Sequence, residues 1–197
     1  ETASLEQSFK SLEFNVVCSA DQADIAVVNT CTVTENGDAD TRKLVNKLVA
    51  TKSDIRIALI GCQAQVHKDD LLSLKNVQWV IGNEDKMRSH HIIDQSLHAQ
   101  TPLVRTQKIA RQAFRVDQSS VDSRHKRANI KIQDGCDFYC AFCVIPFARG
   151  PARSRVFEDI IRECIDLGHA GHQEIVITGI NVGTYDYEGK TLLDVIN

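Results

Sequence analysis

Residues Asp134 to Arg155 read DGCDFYCAFCVIPFARGPARSR, and the rest of the chain is best understood outward from them. Three cysteines fall as Cys136-x3-Cys140-x2-Cys143. A strand-like segment with Ile130 and Ile132 precedes them, and an arginine-rich loop follows. Thiols packed this closely, beside Gly, Pro and Arg, point to a metal site rather than to reduced cysteines that happen to be near one another. Structural zinc takes four closed ligands. No fourth Cys or His lies close by; the nearest are Cys164 and His125. The spacing also departs from the bacterial ferredoxin run C-x2-C-x2-C-x3-C-P. Three thiolates suit a four-iron, four-sulfur cube instead, because they hold three irons and leave the fourth open to a small chelating ligand.

With an aromatic residue, Phe142, before the last cysteine, the C-x3-C-x2-C pattern is similar to the signature of the radical S-adenosylmethionine (SAM) superfamily. The longer string GCDFYCAFCVIPFARGPARSR resembles the methylthiotransferases within it. These enzymes attach a methylthio group to tRNA adenosines or to a ribosomal protein. The resemblance extends over essentially the whole chain. It implies an α/β protein: an amino-terminal parallel-sheet α/β domain followed by the start of a radical SAM (β/α) partial barrel, incomplete in this chain. The expected divisions are 1–100 for the methylthiotransferase amino-terminal domain without its first cysteine segment, 101–127 for a basic linker, and 128–197 for a truncated radical SAM domain.

The composition is compatible with that division. A chain of 197 residues makes one large or two small domains. Hydrophobic residues make up 43%, enough for a packed core, and the net charge is only −3. A dedicated nucleic-acid binder usually carries a basic excess, so any such binding here rests on a local basic loop. No apolar run is long enough to span a bilayer, and no signal peptide opens the chain. The odd count of seven cysteines is unlike a secreted disulfide framework and fits the reducing cytoplasm.

The first hundred residues alternate between helical and strand-like patterns. SLEQSFKSLEF puts Leu5, Phe9 and Leu12 on one helical face, and FNVV then reads as a short strand. Asp24 to Cys31 is an apolar run with a polar end, as in a buried parallel strand and the loop after it. Asp40 to Ala50 is helical, Ile55 to Ile60 is a second strand followed at once by Gly61 and Cys62, and Leu71 to Leu74 belongs to a short helix. Val77 to Ile81 is a third strand, and Asn83 is placed to cap a helix running through Met87 towards Ile93. Such alternation predicts a parallel sheet with helices on its faces, with sites beyond the carboxyl ends of its strands. Cys31 and Cys62 each sit just past such an end. Taken singly, each reads as a buried small hydrophobe; their matched placement argues for more. NTCTVT and GCQAQ resemble the two corresponding ligand segments of the methylthiotransferase amino-terminal domain, where they hold a second iron–sulfur cluster. The resemblance implies a third ligand just before the segment that begins at Glu1, so this cluster is expected of the parent protein. Cys18 is expected to be structural.

Residues 101–127 carry Arg105, Lys108, Arg111, Arg115, Arg124, Lys126 and Arg127 against Asp117 and Asp122, with a loop over 118–123. A basic face for tRNA phosphates and a solvated interdomain connection stand side by side as readings. Ala128 to Gln133 is the expected first barrel strand, with the cysteine loop leaving its carboxyl end. Val156 to Leu167 is the next helix, with Ile160, Ile161, Cys164 and Leu167 on one face and Gly168 closing it; Cys164 reads as core packing. Glu174 to Gly179 is the second strand, and Thr191 to Ile196 begins another helix. ITGINVGTYDYEG resembles the family's loop near the SAM site, which implicates Thr178, Gly179 and Asn181 in cofactor binding alongside Phe142. Its form is more similar to the branch that modifies threonylcarbamoyladenosine than to the isopentenyladenosine or ribosomal-protein branches.

The resemblance implies two four-iron clusters, one on Cys136, Cys140 and Cys143 with SAM on the open iron, the other drawing on Cys31 and Cys62. An electron then cleaves SAM to methionine and a deoxyadenosyl radical, which opens adenine C2 to replacement of C–H by C–S. The implied partners are the tRNA anticodon loop, whose bases are already unpaired, and an electron donor such as flavodoxin or ferredoxin. Arg149, Arg153 and Arg155 suit a phosphate or a substrate carboxylate; salt bridges to the amino-terminal domain are the plain alternative. A relative acting on isopentenyladenosine or on a ribosomal protein, and a non-catalytic iron–sulfur or zinc-binding module, remain as other readings. The chain as it stands is expected to be inactive alone.

Overall fold

The computed structural model describes residues 2–32, 35–116 and 126–197. The loop expected over 118–123, the charges Asp117, Asp122 and Arg124, and His125 lie outside them, as do the last two residues of NTCTVT. The chain divides into two compact units, Glu1–Ile109 and Ala110–Asn197.

In the first unit, α1 (Thr2–Ser11) is followed by β1 (Ile25–Thr30), α2 (Glu35–Thr51), β2 (Arg56–Gly61), α3 (Cys62–Val66), α4 (Lys68–Leu72), β3 (Val77–Ile81), α5 (Ser89–Gln95) and β4 (Leu103–Arg105). The four strands form one parallel sheet in the order β1-β2-β3-β4. Side chains alternate across a strand, and β2 shows it. Ile57 and Leu59 enter one core with Val45 of α2 and Leu71 of α4. Ala58 and Ile60 enter the other, with Leu5 and Phe9 of α1, Trp79 of β3 and Ile93 of α5. A strand covered on both faces needs a continuous apolar run, which is what RIALIG supplies.

Several local expectations are corrected. FNVV is not a strand: Phe14 packs edge-on against Phe9 at 5.3 Å, and Val16 is exposed. Leu12 lies past the end of α1. β1 is parallel as expected but sits at the sheet edge, where Val27 stays exposed rather than buried. Asn83 caps no helix, since the turn at Lys86–Arg88 starts from Asp85 and α5 follows it. Cys18 is exposed in the loop before β1, so any structural role is not one of burial. The fourth strand, β4, falls where the sequence was read as linker; only three residues long, it pairs Leu103 with Trp79 and Arg105 with Ile81.

In the second unit, β5 (Arg127–Lys131) leads to β6 (Gln133–Asp134), α6 (Ile145–Arg149), β7 (Arg153–Ser154), α7 (Phe157–His169) and β8 (Glu174–Thr178). The antiparallel pair β9 (Asp186–Tyr187) and β10 (Lys190–Thr191) and the short α8 (Leu192–Ile196) complete it. β5 and β8 pair in parallel, with Ile130 opposite Ile177. Ile160 and Leu167 of α7 cover them together with Ala128, Ile132 and Tyr185, and Cys164 packs against this core as expected. Ile161 does not share the buried face, and α7 runs one residue past Gly168. The expected first strand is split: Gln133 and Asp134 pair antiparallel with Ser154 and Arg153, which folds the arginine-rich loop back over the strand end.

Candidate iron–sulfur and cofactor sites

The parallel register aligns Thr30 with Gly61, so Cys31 and Cys62 leave adjacent strands at the same level. The approach is tight. Gly61 has φ +101°, and a Cβ there would lie 2.6 Å from Asn29 Oδ1 and 2.9 Å from the Thr30 carbonyl. Only glycine meets both demands. Thr30 Oγ1 donates to the Ile60 carbonyl at 2.8 Å. Cys62 is buried at the start of α3, and Cys31 is exposed. Asn83 Nδ2 donates to Cys62 Sγ at 3.4 Å, and the Asn83 amide donates to Gln65 Oε1 at 3.1 Å. Asn83 is thus turned towards the thiol, which is why it is not a helix cap.

In the second unit the cysteine loop leaves β6 at the carboxyl end of the β5 direction. Gly135 has φ +74°, and a Cβ there would lie 2.0 Å from the Pro151 carbonyl oxygen. The Cys136 amide donates to the Gly150 carbonyl at 3.1 Å, and the Cys143 amide to the Cys140 carbonyl at 2.9 Å. Asp137 accepts both guanidinium nitrogens of Arg111, at 2.7 and 2.9 Å, and the Ala152 amide at 3.1 Å. The Arg111 guanidinium, with help from the Ala152 amide, holds the Asp137 carboxyl below the usual carboxylate range. Cys136 and Cys143 are half-buried, Cys140 is exposed, and all seven cysteines are free thiols.

A cavity of about 370 Å³ lies beside the loop. It is lined by Arg111, by Cys136, Asp137 and Phe138 of the cysteine loop, by Ala152, and by Asn181, Thr184 and Asp186 of the segment after β8. Of the residues expected in the site, it brings together Cys136 and Asn181. Phe142 is 94% exposed and outside it. Thr178 is half-buried and its hydroxyl donates to the Ile130 carbonyl at 3.1 Å, so that side chain braces the strand pair. Gly179 is packed against the Gln133 backbone, 3.0 Å separating its would-be Cβ from the Gln133 carbonyl oxygen.

The arginines separate into two groups. Arg149 and Arg153 reach the buried Asp134 at 3.4 and 3.5 Å, and Lys131 reaches it at 3.2 Å. The Phe114 ring lies beneath Lys131 and Arg153, 5.4 and 5.5 Å from its centroid. Arg155 is buried: its Nε donates to Asp159 Oδ2 at 2.6 Å and its Nη1 to Glu163, while Tyr185 donates its hydroxyl to the Arg155 carbonyl at 2.9 Å. Burial pushes the Tyr185 phenol up to about 12.

Among the described residues, no three His, Cys, Asp or Glu side chains converge on a common point. The donor chemistry of the cysteine loop nonetheless fits an iron–sulfur cluster: three reduced thiols share one anchored loop, and the first of them forms part of a cavity wall. Cys31 and Cys62 follow the aligned ends of β1 and β2, the first thiol exposed and the second buried. Sequence reasoning passed over Gln133, Asp134 and Asp137, and read Arg111 only as one charge of the basic stretch. The available signal was a polar pair, Gln133-Asp134, closing an alternating apolar strand at its carboxyl end.

Two family descriptions match the chain: Uncharacterized protein family UPF0004 over residues 1–82, and the Radical SAM superfamily over residues 130–196. The chain is 35% identical over 192 residues to the threonylcarbamoyladenosine tRNA methylthiotransferase MtaB of Bacillus subtilis, covering 96% of this chain and 42% of that protein. It is 33% identical to the protein of the same name from Aquifex aeolicus, over 95% of this chain and 46% of the other. A tRNA-2-methylthio-N(6)-dimethylallyladenosine synthase of Bacteroides fragilis is 29% identical, over 89% and 39%. The chain therefore spans less than half the length of these curated relatives. In fold, it resembles the radical S-adenosylmethionine methyltransferase TsrM from Kitasatospora setae, with a TM-score of 0.54 and 12% identity over 91% of this chain and 40% of that one. The order of the two matched regions defines a radical SAM protein with an α/β domain in front. Along both regions the chain is similar to tRNA methylthiotransferases.

Proposed function

We propose that the protein adds a methylthio group to C2 of N6-threonylcarbamoyladenosine at tRNA position 37. The observation that carries this is the 35% identity to the Bacillus subtilis enzyme across both units, cysteine loop included. Cys136, Cys140 and Cys143 hold a four-iron cluster, and Cys31 and Cys62 provide two ligands of a second. When bound, the first cluster supplies the electron for reductive cleavage of SAM. The chain's own residues bind and orient. Asn181 meets the cofactor in the cavity and Thr178 and Gly179 set the loop that carries it, while Phe142, exposed outside the cavity, is assigned to the adenine. Arg149 and Arg153, which reach Asp134, are the arginines assigned to a substrate carboxylate or phosphate; Arg155, enclosed with Asp159 and Glu163, serves the stability of α7. The partners are the tRNA anticodon loop and a flavodoxin- or ferredoxin-like donor, in the cytoplasm. Among the described residues, no helix is long and apolar enough to cross a membrane.

The test is anaerobic reconstitution with iron and sulfide, followed by electron paramagnetic resonance of the reduced protein with and without SAM. A cubane signal that shifts with SAM and is lost in Cys140→Ala supports the reading. Colourless protein that takes up zinc sinks it. The 29% identity to the Bacteroides fragilis synthase favours dimethylallyladenosine as the second substrate to assay. Mass spectrometry of tRNA carrying one or the other modified adenosine separates the two.

A further inference from the structure

One buried amide ties together two of the segments that line the cavity. Gln133 is 0% exposed. Its Nε2 donates to the carbonyls of Asp134 at 3.2 Å and Gly135 at 2.9 Å, at the root of the cysteine loop. Its Oε1 accepts the Asn181 amide at 2.7 Å, in the loop after β8. Both amide hydrogens and the carbonyl oxygen are therefore used. Burying an amide costs free energy unless each group is paired. An apolar residue here would pack as Ile130 and Ile132 do, so the amide is explained by what it joins. A second tie issues from the same short ladder: Gln133 is the register partner of Ser154, and Ser154 Oγ accepts the Asp186 amide at 2.9 Å. The loop from Asn181 to Asp186 is thus fastened near both ends to the segment from which the cysteine loop departs.

We infer that Gln133 is a positioning residue, clamping the loop that carries Cys136 to the loop that carries Asn181. The clamp sets the separation of these two lining segments for a sulfonium nucleoside, SAM. It rests on the function proposed above and adds to it a residue that touches neither cofactor nor substrate. Loss of the clamp leaves the thiols in place and lets the segment after β8 move away from the ligand.

The experiment is Gln133→Met in the full-length protein, reconstituted anaerobically with iron and sulfide. Two quantities are read: the SAM dissociation constant, from titration of its effect on the resonance spectrum, and hydrogen exchange at the Asn181 amide. The expected result is wild-type iron content, faster exchange at Asn181 and affinity weakened about tenfold, the scale of one lost buried hydrogen bond. An unchanged dissociation constant overturns the inference, because a merely structural amide would lower the melting temperature and nothing else. Gln133→Asn keeps the amide but is one methylene too short to span both loops. It is expected to weaken SAM to the same degree, and it decides the matter if methionine prevents folding. A wild-type protein that shows no response to SAM removes the functional reading and the clamp's ligand together. A wild-type response that the variants reproduce sinks the clamp alone.

Discussion

Arg155 illustrates how a residue can be legible in kind and illegible in role. Its place in an arginine-rich loop suggested an anion-binding side chain, yet its guanidinium is enclosed with Asp159 and Glu163. Sequence spacing gave no sign of this, because the acids lie on α7, one and two turns beyond it. Removing Asp159 leaves the buried Arg155 guanidinium with Glu163 alone and its Nε without an acceptor. Asp159→Ala is therefore expected to destabilise the second unit by about 3–5 kcal/mol, read by denaturant unfolding. A pH dependence follows. Burial alone would raise the Asp159 carboxyl, but the Val116 amide, Arg155 and Arg162 outweigh it and hold it below its ordinary 3.8. Its stabilising contribution is complete above that value and is lost as pH falls through the lower folded value. Denaturant midpoints measured down a pH series should fall less steeply below 3.8 in Asp159→Asn than in the wild type.

At the level of elements, the legible parts were those with long apolar runs. β2 and β3 are covered on both faces, so their sequences left little ambiguity; the position of Cys62 followed from β2, and that of Cys31 from the apolar run of β1. The illegible parts were short. β4 has three residues and β6 and β7 two each, lengths at which pairing is decided by neighbours rather than by pattern. FNVV failed for the converse reason: it has the composition of a strand and no strand beside it. The cysteine loop stood out in the sequence by its spacing but not by its shape, since its anchors come from Arg111 and from Gly150 to Ala152. Gly135 is where this matters most. Gly135→Ala places a methyl 2.0 Å from the Pro151 carbonyl oxygen and strains a left-handed backbone. The expected outcome is reconstituted protein with lowered iron content at the SAM-responsive signal and an intact first unit, read by iron analysis and resonance together.

Across the whole molecule, the two units are unequally built. The first has two apolar layers on a four-stranded sheet, with Trp79 fully buried. Among the described residues, the second has one core over a two-stranded parallel pair, and isolated two-stranded arrangements are marginal. Hydrogen exchange should therefore leave β2 and β3 amides the most protected, with β5 and β8 exchanging faster; equal protection in both would contradict this. The sequence suggests a division through a polar, basic stretch between two runs of alternating strand and helix patterns, and β4 lies inside that stretch. The alignment of Thr30 with Gly61 carries a further consequence, for how such a chain tolerates changes of length. A residue inserted within β1 would turn Cys31 to the opposite face of the sheet and carry it about 3.3 Å along the strand, away from Cys62. A residue added in the turn between α2 and β2 would disturb neither thiol. Drift in length is therefore confined to the connections, and the strands keep count.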